Sequence, residues 1–92
     1  MRKGYVIRFA GVQSPGDYLV HRVHNFTEDL QVDLQRHGWG MVDNPDSATD
    51  AVFVTPSSDR MLGEVARAIR RALRHHQLSD ESAVSRREGD GS

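Results

Sequence analysis

The chain contains no cysteine, which excludes disulfides, thiolate zinc sites, iron–sulfur clusters and thiol catalysis. Three prolines and eight glycines among 92 residues are too few for a collagenous or low-complexity chain. No apolar stretch approaches the roughly 18 to 20 residues that span a bilayer. Met1-Arg2-Lys3-Gly4 opens a short mixed run without the apolar block and small-residue cleavage site of a signal peptide, so a cytoplasmic location is expected. What is present, 37% hydrophobic and 27% charged residues, describes one small soluble domain close to the globular average.

The net charge of −1 conceals a segregation. Residues 12–59 carry two bases, Arg22 and Arg36, against eight acids, whereas residues 60–76 carry five arginines against Glu64 alone. Such asymmetry steers partners of either sign. Eleven of the twelve bases are arginine, which reflects either a GC-rich genome or selection for bidentate anion contacts.

Tyr5 to Val12 is β-branched and aromatic and reads as a strand, with Tyr5, Ile7 and Phe9 on one face and Val6, Arg8 and Ala10 on the other. Arg8 on a mostly small face implies partial cover or a sheet edge. Leu19, Val23, Phe26, Leu30 and Leu34 are spaced by four, three, four and four, one helical stripe. A helix from about Pro15 to His37, stopped by Gly38, is expected. The alternative is a type II turn at Ser14-Pro15-Gly16-Asp17 and a hairpin strand over Tyr18 to Val23, with Asn25 and Glu28 capping a shorter helix.

Trp39 to Asp43 and Asp50 to Thr55 read as strands, the second central and covered on both faces. The turn-forming Asn44 to Thr49 makes them antiparallel neighbours. The last element runs from a Ser57 or Ser58 N-cap to His76. At about 100° per residue, Met61, Leu62, Val65, Ala66, Ala68, Ile69, Ala72 and Leu73 fall on one side, and Arg60, Arg67, Arg70, Arg71 and Arg74 on the other. Gly63 weakens the exposed side, and Arg60 is positioned to pair with Glu64. Beyond Leu78 the polar residues 79–92 cannot bury enough surface to order, so a compact domain over 1–78 and a disordered tail are expected.

The expected fold is therefore α+β: β-α-β-β-α order, a three-stranded sheet and two helices on one face in two layers. This is similar to the ferredoxin-like pattern without its last strand. Gly38 to Pro45 followed by Ala48 to Val54 also resembles strand crossings of small Rossmann-like domains, over a span too short to imply a function. The missing strand would leave an open edge suited to strand addition by a partner or to a homodimer.

Chemistry is sparsely signalled. His21 with His24, and His75 with His76, lack a third converging ligand or a His-Glu-x-x-His frame, so no metal and no cofactor is expected. Ser57 and Ser58 lack a nucleophile-elbow frame and read as caps. Ala10 to Gly16 matches neither dinucleotide nor Walker patterns. The acid groups Glu28-Asp29 and Asp43-Asp46-Asp50 read as solvated faces and turns. The reading leans against an enzyme.

The arginine stripe is the dominant surface signal. It points to a non-enzymatic interaction or regulatory module that contacts another protein through Arg60, Arg67, Arg70, Arg71 and Arg74 and the sheet edge. Nucleic acid is the alternative partner for the same arginines, although no aromatic interleaves with them. A third reading places a small ligand or phosphate at strand ends near Ser14, Asp43 and Ser57. No membrane partner is implied.

Overall fold

The computed structural model describes residues 3–9, 18–43 and 51–87. The expected start of the first helix at Ser14-Pro15 and the turn over Asn44 to Thr49 lie outside the described residues, as does Ser14 as a ligand residue. Along the chain come β1 (Gly4–Phe9), α1 (Tyr18–His37), β2 (Gly40–Asp43), β3 (Ala51–Pro56), α2 (Leu62–His75) and β4 (Ser82–Arg87). The strands form one antiparallel sheet in the order β2-β3-β1-β4. No described helix is long and apolar enough to cross a membrane.

The α+β class and the two helices agree with the sequence reading; the three-stranded sheet does not. The segment read as a disordered tail supplies β4, which pairs with β1 from Gly4 opposite Arg87 to Phe9 opposite Ser82. The strand expected to be missing is thus present, and β4 itself becomes an edge of the sheet. Tyr18 to Val23 are helical, which excludes the hairpin alternative and the shorter helix.

Period-two and period-3.6 patterns meet in a single core. Pairing places Tyr5, Ile7, Phe9, Val42, Val52 and Val54 on one sheet face. There they join Val23, Phe26, Leu30 and Leu34 of α1 with Val65, Ala68, Ile69 and Leu73 of α2. Both helices therefore cover the same face. β3 is central as expected but helix-covered on one side only, because Phe53 and Ala51 point to the other face and stay partly exposed. Arg8 and Met41 on that open face are exposed.

Helix ends are satisfied by motifs the sequence signals unevenly. At α1, Gly38 takes a left-handed φ of 68° while its N–H donates to Gln35 and that of Trp39 to Leu34. This is a Schellman end. α2 ends identically, except that Gln77 holds the left-handed position at φ 57°. There Gln77 N–H donates to the Arg74 carbonyl and Leu78 N–H to that of Leu73. Leu78 and Leu73 are both buried, which supplies the hydrophobic closure. α2 is capped by Met61 without a side-chain bond: Asp59–Met61 form a 3₁₀ turn ahead of it, and Ser58, the N-cap of that turn, makes no side-chain cap bond. Ser57 Oγ instead donates to the Gly38 carbonyl at 2.9 Å, tying the β3 exit to the end of α1.

Candidate functional site

Three polar arrangements are built from the described residues. The first lies on the open sheet face. Arg87, on β4, stands opposite Gly4, and the absence of a side chain there lets its guanidinium pass over β1. A Cβ at Gly4 would lie 2.1 Å from the Val54 carbonyl oxygen and 3.1 Å from Arg87 Nη2. The guanidinium donates to Thr55 Oγ1 at 2.8 Å and to Asp43 Oδ2 at 3.1 Å, beside the Phe53 ring. Thr55 also donates to Asp43, at 2.8 Å. Asp43 Oδ2 thus accepts from two partners within the protein, and the cluster is a latch binding β4 across the sheet to β2. Asp43 and Ser57 do not converge as a ligand site: Asp43 pairs opposite Phe53, while Ser57 follows Pro56, which pairs opposite Gly40 at the other end of β2.

The second arrangement is the arginine face. Arg60, Arg67, Arg70, Arg71 and Arg74 are all exposed, opposite the buried side of α2. Arg60 lies in the 3₁₀ turn, and Glu64 pairs with Arg67 at 3.5 Å rather than with Arg60. The stripe then divides. Arg70 and Arg74 border a groove of about 230 Å³ shared with Leu73 and with Ser82 and Val84 of β4. Arg71 instead faces a cavity of about 390 Å³ between the helices.

The third arrangement borders that interhelical cavity and joins residues distant in sequence. Asp29 of α1, His75 and His76 place one ligating atom each within 4.8 Å of the others. His76 Nε2 lies 2.6 Å from Asp29 Oδ2. The His76 ring stands edge-on to Phe26, with centroids 6.4 Å apart, and at 88° to His75. Arg22 anchors the same corner, donating to the carbonyls of His76 (2.8 Å) and Gln77. These bonds satisfy carbonyls that a helix C-terminus leaves without internal partners. His21 and His24 do not join this group, and His24 pairs with Glu28. The sequence exposes the two adjacent histidines but not Asp29, which reaches them only once α1 and α2 pack. Its spacing three residues from Phe26 and one from Leu30 is the available hint, since it borders the buried stripe.

The chain shows no significant match to any family model, curated protein or solved structure.

Proposed function

We propose that the protein is a small non-enzymatic interaction module that receives an extended, acidic segment of a partner protein along the outer edge of β4, beneath Arg70 and Arg74. One juxtaposition carries the reading: these two arginines and the strand residues Ser82 and Val84 line the same groove. β4 pairs only with β1, so among the described residues its outer edge has no neighbouring strand. Val84, opposite Ile7 on the helix-side face, is 41% exposed. An added strand would gain main-chain hydrogen bonds, an apolar contact on Val84, and acid–guanidinium contacts from side chains directed toward α2. The complete β-α-β-β-α-β order and the sheet order β2-β3-β1-β4 support assigning the fold to the ferredoxin-like class with its last strand in place.

The test is a fluorescent peptide of alternating glutamate and valine, titrated at low and at physiological salt. The reading expects saturable binding that weakens with salt and falls ~10-fold in Arg70→Ala/Arg74→Ala. Absence of binding at low salt overturns it. Tighter, equally arginine-dependent binding of a single-stranded oligonucleotide of matched charge overturns it in favour of nucleic acid.

A further inference from the structure

We propose that Asp29, His75 and His76 form a divalent transition-metal site at the junction of α1 and α2, with zinc as the fitting ion. Two imidazole nitrogens and one carboxylate oxygen are a borderline donor set, suited to zinc and its neighbours rather than to the oxygen-seeking magnesium or calcium. A tetrahedral ion with ligands at about 2.0–2.2 Å holds them about 3.3–3.6 Å apart, so atoms within 4.8 Å of one another, two of them 2.6 Å apart, need side-chain shifts of about an ångström to bind it. His76 is already held in place by the Phe26 ring, by Asp29 and by the Arg22 bond to its carbonyl. Only a small movement of the exposed Asp29 and His75 side chains completes the set.

Zinc entering between Asp29 and His76 takes the Nε2 lone pair, so the ring binds as the neutral tautomer with its proton on Nδ1, and a proton leaves to solvent only from a ring that starts as imidazolium. Three protein ligands leave one tetrahedral position open, and the interhelical cavity that Asp29, His75 and His76 all line gives a fourth ligand room. Arg71 lines that cavity and makes no ion pair among the described residues. An anionic fourth ligand, a small carboxylate, is therefore favoured over neutral water.

The experiment uses the full chain without a polyhistidine tag. Zinc is titrated in competition with a chromogenic chelator, and cobalt(II) absorption reports coordination. The expected result is one ion per chain, with affinity falling at least ~10-fold in His75→Ala and in Asp29→Ala. The His21→Ala/His24→Ala double variant should bind as the parent does. Circular dichroism of each variant establishes that it is folded. Acetate should shift the cobalt spectrum of the parent but not that of Arg71→Ala. No saturable binding, binding that survives both ligand substitutions, or binding lost with His21 and His24 overturns the metal site. An acetate shift that persists without Arg71 overturns the anionic fourth ligand.

Discussion

Gln77 shows how a single backbone angle decides the value of a side chain. It occupies the left-handed position that glycine takes at the end of α1. An L-residue there costs roughly 1–2 kcal/mol, partly offset because glycine loses more entropy on folding. Gln77→Gly should therefore stabilise the protein by about 0.5–1 kcal/mol, read as a higher urea midpoint at unchanged slope. Arg87 works in the opposite sense. Its side chain and that of Asp43 are only 17% and 29% exposed, so removing one partner strands the other in a poorly solvated place. Arg87→Ala is expected to cost about 2 kcal/mol in urea denaturation. Gly4→Ala should destabilise chiefly through the backbone, because the new Cβ collides with the Val54 carbonyl oxygen, and it also crowds the Arg87 guanidinium. Salt should moderate the Arg87→Ala effect more than the Gly4→Ala penalty, which is mostly steric.

Among the elements, α2 offers the cleanest test of intrinsic propensity. Nothing lies within 4 Å of a Cβ built on Gly63, and its φ is not left-handed. Gly63→Ala should add about 1 kcal/mol, measurable as a rise in Tm, without altering any contact. The helices were legible because their apolar positions recur at the helical period: Val23, Phe26, Leu30 and Leu34 on one, Val65, Ala68, Ile69 and Leu73 on the other, all buried. β3 was legible for its run of Val52-Phe53-Val54. β4 was not, because Ser-Ala-Val-Ser-Arg-Arg has no amphipathic pattern of its own. Its order comes from ladder bonds to β1 and from Arg87 reaching over Gly4, both non-local. The same limit applies to the candidate sites. The arginine face follows from spacing within one helix, whereas its division between two cavities, and the meeting of Asp29 with His75 and His76, depend on how separate elements pack. The bond from the Ser57 hydroxyl to the Gly38 carbonyl was not legible either, since it joins the β3 exit to the distant end of α1.

For the molecule as a whole, the two proposals occupy different sides of α2 and are separable. Arg70 and Arg74 border the β4 groove, while Arg71 faces the interhelical cavity beside the histidines. Arg70→Ala/Arg74→Ala should weaken the acidic peptide while leaving zinc affinity unchanged. His75→Ala should do the reverse. A second copy competing for the β4 edge would appear as a concentration-dependent dimer in analytical ultracentrifugation. Titrating the peptide should then shift the population toward monomer, since both occupants need the same row of backbone groups.

The pairing of β1 with β4 also sets an order of events during synthesis. β1 is made before the other described strands, yet its second neighbour lies at residues 82–87, after both helices. Until that stretch emerges, Tyr5 to Phe9 can be flanked only by β3, and a nascent chain halted before it presents a sticky Val-Ile-Arg-Phe ribbon to other chains. Ribosome stalling or premature termination near Leu78 would accordingly yield aggregates rather than a shortened but competent domain.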